Sequence, residues 1–166
     1  MSATNKDARA ELMAVLAKLD QVFPTEVHTT LRSPAQAADL AALASTLAEG
    51  DRLPEDLLIL FDWHDGQAWN SPLSPKNNRR LLSVREVFSE RLFFADPLSE
   101  FMEPWCASWL PVLTNDAGDF VVYETVGDLR GKLLHYWHDD PSRSVAYSSL
   151  HQWAEKLLHE YEQPNA

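Results

Sequence analysis

Carboxylates, histidines and a single cysteine are the residues of this chain that could do chemistry, and their spacing limits what that chemistry could be. Asp62 with Asp65, and Asp139 with Asp140, could serve as general acid and base only if an apolar pocket raised one pKa. Consecutive aspartates before Pro141 fit a solvated turn better, as do Asp116 and Asp119 in Asn115-Asp116-Ala117-Gly118-Asp119. His135 and His138, with Asp139 next door, invite a metal reading. Residues three apart on a strand point to opposite faces, however, so the two rings do not converge on one ion. Cys106 stands between Trp105 and Ala107 with no basic residue near it in sequence to lower its pKa, which predicts a small buried hydrophobe. There is no Gly-x-Ser-x-Gly elbow, and with five glycines no Gly-rich loop precedes a helix. The expectation is a non-enzymatic protein with no catalytic residue, no cofactor and no metal.

What remains is binding. Trp109 and Trp153 lie in apolar patterns and are expected in the core. Trp69 follows Gly66 in a polar loop and falls on no buried stripe, which makes it a candidate anchor for a protein partner. His64 and Asp65 adjoin that loop; His64 sits at a helix end, where a protonated imidazole would meet the helix dipole favourably. A second candidate region is the irregular acidic stretch with Asp96, Glu100 and Glu103. The formal net charge is -11, and residues 96–141 hold nine acidic side chains against Arg130 and Lys132. Acidity of this kind serves solubility, and it also suits a basic partner such as a nuclease toxin that must itself attract phosphate. Direct binding of DNA or RNA is disfavoured, because Arg79-Arg80 beside Lys76 is too small a basic cluster.

The elements that must position these residues follow from hydrophobic period and capping signals. Residues 5–23 place Leu12, Val15, Leu16, Leu19, Val22 and Phe23 on one helical face, ended by Pro24. Ser33-Pro34-Ala35-Gln36 reads as an N-cap, a first-turn proline and a capping-box glutamine for a second helix. Its buried stripe would be Leu40, Leu43 and Leu47, closing at Gly50. A third helix is expected from Pro54 to about His64, burying Leu57, Leu60 and Phe61. A turn-rich loop then leads to a short strand at Leu81-Leu82. Ser83-Val84-Arg85-Glu86 is another capping box, opening a helix with Val84, Val87, Phe88 and Leu92 inward that breaks near Asp96-Pro97.

Apolar runs at 108–113, 119–125, 132–138 and 143–147, separated by turn clusters around Gly118 and Gly131, predict antiparallel strands. Ser149 to Gln152 caps a last helix with Leu150, Trp153, Leu157 and Tyr161 at core spacing. The order makes an α+β fold, with helices packed on one face of a mostly antiparallel sheet. The other face, its rim or the loops would serve recognition. The length of 166 residues suits a single domain, and six Trp with seven Phe supply its core. No apolar run is long enough for a membrane span. Met1 to Asp7 lacks the apolar core of a secretory leader, so cytoplasmic residence is the expectation.

Three segments occur together in a telling order. Leu53-Pro54-Glu55-Asp56-Leu57 leads to Trp63-His64-Asp65-Gly66; Trp109 to Glu124 forms two apolar runs around Gly118-Asp119; Ser144 to Leu150 enters a capped helix carrying Trp153. This order resembles the SUKH superfamily, in its branch of fungal cell-wall-synthesis regulators and their bacterial relatives. The resemblance covers roughly residues 34–163 and makes residues 1–30 an N-terminal helical addition to a SUKH-like domain. The chain departs from it at Leu150 and Trp153, where phenylalanines are usual, and at Asp65, where asparagine commonly precedes the glycine. The bacterial relatives are mostly inferred to be immunity proteins, so the resemblance implies a protein that neutralises a bacterial toxin by stoichiometric binding. A regulatory interaction module is the alternative it carries, and an uncatalogued hydrolase a remoter one.

Overall fold

Helical spacing of apolar residues governs both ends of the chain and strand spacing its middle; the computed structural model describes residues 2–166. Four helices come first: α1 (Ala3–Val22), α2 (Thr25–His28), α3 (Ala37–Ala44) and α4 (Glu55–Trp63). Then follow β1 (Arg80–Leu81), α5 (Val84–Ala95), β2 (Trp109–Thr114), β3 (Phe120–Glu124), β4 (Leu133–Tyr136), β5 (Val145–Tyr147) and α6 (Leu150–Glu162). The five strands lie in chain order, each antiparallel to its neighbour. The fold is α+β. Gly118 and Gly131 sit in the connecting turns at φ +96 and +83, a left-handed backbone that glycine adopts without steric cost.

The sheet is covered on both sides. On one side Leu113 and Tyr147 face Trp153 and Leu157 of α6. Behind α6 packs α1, which also touches α4 and buries Leu12, Leu16 and Leu19. Each fully buried leucine contributes roughly 1.5–3 kcal/mol, so α1 is part of the core rather than an appendage on it. On the other side Phe120 and Tyr136, cross-strand partners, meet Phe94 and Trp105 edge-on. Phe94 and Trp105 stack flat with ring centroids 3.9 Å apart. That second face is therefore roofed by aromatics from the end of α5 and the irregular segment after it. It is not bare.

Non-local contacts displaced four local expectations. The second helix starts at Ala37 instead of after Ser33, with Gln36 as an N-cap that makes no side-chain bond. The Ser33 carbonyl accepts the Asp65 N–H, and the Ala35 N–H donates to Phe61, so residues 33–35 run extended along the end of α4. That helix also stops at Ala44, leaving Leu47 beyond it. In α5, Leu92 is 52% exposed and the neighbouring Arg91 is buried in its place. Arg91 donates to the carbonyls of Thr46, Ala107 and Trp109 at 2.8–2.9 Å and to the Thr46 hydroxyl at 2.8 Å. A guanidinium with that many acceptors can be buried where a leucine was expected. Cys106 is exposed instead of buried, because its neighbour Trp105 takes the inward position in the aromatic roof.

The capping box forms as expected: the Ser83 hydroxyl accepts the Glu86 N–H at 3.2 Å and the Glu86 carboxylate accepts the Ser83 N–H at 2.7 Å. Gly66 lies against it. A Cβ there would come within 2.4 Å of the Ser83 nitrogen and 2.7 Å of the Leu82 carbonyl carbon, at φ +75. Gly66→Ala is therefore expected to cost more than about 2 kcal/mol, combining the left-handed penalty with a backbone collision. Urea unfolding measures this, and an alanine variant as stable as the parent would contradict the close approach.

Candidate functional site

The site is built on one buried arginine. Arg80, on the edge strand β1, donates Nη2 to Asp116 at 2.6 Å and to Glu86 at 2.8 Å, and its Nε faces both Asp116 oxygens. Burial alone would raise both carboxyls. The Arg80 guanidinium holds each below the usual carboxylate range, helped by the Ser83 N–H at Glu86 and the Asn70 N–H at Asp116. The sequence reading placed Asp116 in a turn, and it is in one, but its side chain points in.

This network carries the loop with Trp69. The Asn70 N–H reaches the Asp116 carboxylate at 2.9 Å, and both residues adopt positive φ. At the loop's other end Gln67 is fully buried and fully bonded. Its amide donates to the Thr30 hydroxyl and the Ser71 carbonyl, and its oxygen accepts the Leu81 N–H. Pinned at both ends, the loop leaves the Trp69 side chain 67% exposed. A large aromatic held out on a rigid loop loses little entropy when something packs on it.

Opposite Trp69, across a cleft of about 490 Å³, stand the second half of α5 and the irregular segment that follows. Arg80 and Asp116 form part of its floor, Phe93, Phe101 and Met102 line its wall, and Glu86, Glu90 and Glu100 add carboxylates. Apolar exposure here is high: Leu98 is 88% exposed and Met102 77%. Single exposed hydrophobes are ordinary; here several lie together with an exposed tryptophan at the edge of a cleft.

The candidate residues separate into two places. Trp69 and Glu100 line the one cleft. Asp96 is exposed close by in sequence, its carboxylate accepting the Leu98 N–H at 2.9 Å. Glu103 is half-buried, and its carbonyl accepts the Tyr136 hydroxyl, which ties the segment to the sheet. His64 and Asp65 do not line the cleft. Both ring nitrogens of His64 are engaged, by the Arg32 carbonyl at 2.7 Å and the Asp20 carboxylate at 2.9 Å. The Asp65 carboxylate accepts the Val84 N–H at 2.7 Å, capping the first turn of α5. These two residues hold α1, the strap before α3 and α5 together.

The other groups weighed for chemistry are occupied as follows. His135 pairs with Val121 and stacks on Trp137, whereas His138 donates to Asp119 at 2.7 Å. Asp119, His138 and Asp139 bring ligand-type atoms within 4.8 Å of one another. Both Asp119 oxygens are already taken, however, one by the His138 ring and backbone N–H and the other by the Asn115 amide. The group is a clasp between the β2–β3 turn and the end of β4. Asp140 accepts the Ser142 N–H in the expected turn. Burial raises the Asp56 carboxyl, and the Tyr123 hydroxyl donates to it at 2.9 Å.

Sequence reasoning missed Arg80, Gln67, Phe101 and Met102 as parts of this site. Only the last two left a trace: apolar residues in a stretch with neither helical nor strand period, where the acids drew the attention. Among known families, the chain matches the SMI1 / KNR4 family (SUKH-1) over residues 34–156, and it belongs to that family. The matched stretch contains the Trp69 loop, the cleft and the whole sheet but leaves α1 outside. The family is consistent with an immunity module or a regulatory module. No curated protein matches the chain. Among the described residues, no helix is long and apolar enough to cross a membrane.

Proposed function

We propose that this chain is a non-enzymatic protein-binding domain, an immunity protein that neutralises a bacterial toxin by stoichiometric binding. The observation that carries the reading is the cleft between Trp69 and Phe101, an exposed apolar surface rimmed by carboxylates and held on a buried ion network. Aromatic anchors in such a setting act as hot spots, and the acids around them speed encounter with a basic target. Trp69 is the central contact, with Asp96, Glu100 and Glu103 at the rim; His64 and Asp65 act behind it by holding α1, the strap before α3 and α5 together. Residues 1–166 work as one SUKH-like domain in the cytoplasm, with α1 built into its core. The toxin's active site is occluded by the bound domain, so no chemistry is required of the binder.

Co-expression tests this. A toxic domain encoded beside this gene should arrest growth alone and should not do so together with this protein, and the two should co-purify in equal amounts. Failure to rescue, with no complex formed, contradicts neutralisation and favours a regulatory module.

A further inference from the structure

Two carboxylates of the cleft, the exposed Glu100 and the half-buried Glu90, are without a partner among the described residues. Glu90 lies one turn beyond Glu86 on α5 and lines the cleft. Glu86 and Asp116 share Arg80, whereas Glu90 is half-buried and makes no hydrogen bond or ion pair among the described residues. Burial and the nearby Glu86 raise its carboxyl above the usual range, and Arg80 offsets this only in part. Four carboxylates line the cleft against the guanidinium of Arg80 and the His138 ring; Arg80 is already engaged by two of them and His138 by Asp119 outside the cleft. In the groove between α1 and α4, Glu55 meets Arg9 and Asp20 meets Trp63 and His64, and the carboxylate left without a partner, Asp62, is exposed.

An apolar group entering the cleft would complete the burial of Glu90 and leave it unpaired, which is costly, and a neutral donor would bond it more weakly than a cation does. An acidic group would be repelled. Resting on the reading of the cleft as a docking surface, we propose that it receives a single cationic side chain, arginine or lysine, projecting from the partner protein. Glu90 is its counter-ion, Glu100 adds a second carboxylate, and its methylene stem lies against Phe93 and Phe101. Trp69 closes the other side, where its ring face favours a cation. The walls thus select for charge at the tip and apolar surface along the stem, which is the composition of these two side chains.

The probe is N-acetyl-arginine methylamide, titrated into the 15N-labelled protein alongside the lysine equivalent and the uncharged citrulline equivalent. The expected result is a saturable, weak shift of the Trp69 indole N–H and of amides in 86–102 with arginine or lysine, and none with citrulline. Glu90→Gln should weaken that binding roughly tenfold or more without moving resonances elsewhere, since Glu90 has no intramolecular partner to lose. The proposal is overturned if citrulline binds as well as the charged probes, if neither charged probe shifts these resonances, or if Glu90→Gln binds them unchanged. Measurements with the purified partner separate the two levels. Binding weakened by Trp69→Ala but indifferent to Glu90→Gln removes the cationic occupant and keeps the docking surface; indifference to both removes the docking surface as well.

Discussion

Arg80→Met is expected to lower the unfolding free energy by about 3 kcal/mol, because it leaves the buried Asp116 and the partly buried Glu86 without their common cation. Arg80 and Asp116 side chains are 4% and 6% exposed, so water does little to replace the lost partner. The damage should spread beyond the ion network, since Asp116 also receives the Asn70 N–H and so fixes the Trp69 loop. Acid should mimic the substitution. Glu86 and Asp116 are held below their ordinary values, so their stabilising contribution is present above the unfolded carboxylate range and lost as pH falls through the folded values. Stability of the parent should therefore decline below about pH 4, and that decline should be shallower in Arg80→Met. Urea midpoints at pH 7 and pH 3 for both proteins measure it. An Arg80→Met protein as stable as the parent at pH 7 would show that the network is solvated and does not hold the cleft floor.

Most of the sheet was legible because its strands carry their own apolar runs and the β2–β3 and β3–β4 turns their own glycines. The Ser83 capping box was equally local, with donor and acceptor three residues apart. Where the reading failed, a distant partner decided the outcome. Ser33 and Pro34 have a helix-start signature, yet Asp65 and Phe61 claim that stretch as an extended strap. Arg91 reads as a solvent-facing residue beside Leu92, and only the carbonyls of Thr46, Ala107 and Trp109 make its burial possible. The same holds for the site. Trp69 could be singled out because it fits no stripe, and Glu100 because of charge. The Arg80–Asp116 pair joins residues 36 positions apart, and nothing local to either announces it. Phe101 and Met102 were hidden for another reason: an apolar residue without period looks like irregular core until its exposure is known.

Trp69→Ala is expected to weaken partner binding by about 2 kcal/mol or more, roughly thirtyfold in Kd, by removing the central anchor. Phe101→Ala should weaken it comparably, with some loss of stability because Phe101 also packs on Phe93 and Phe94. Charge reversal at Asp96, Glu100 and Glu103 should instead slow association, and added salt should erase the difference. With its ring largely in solvent and one hydrogen bond from its side chain to Asp116, Trp69 contributes modestly to the folded state, and its removal should lower stability by about 1 kcal/mol. Affinity and melting temperature measured side by side on Trp69→Ala give the most direct answer. A Kd raised about thirtyfold with only a small drop in melting temperature places the partner in the cleft; an unchanged Kd would show that the partner binds elsewhere, and a sharp fall in melting temperature would show that Trp69 serves the fold.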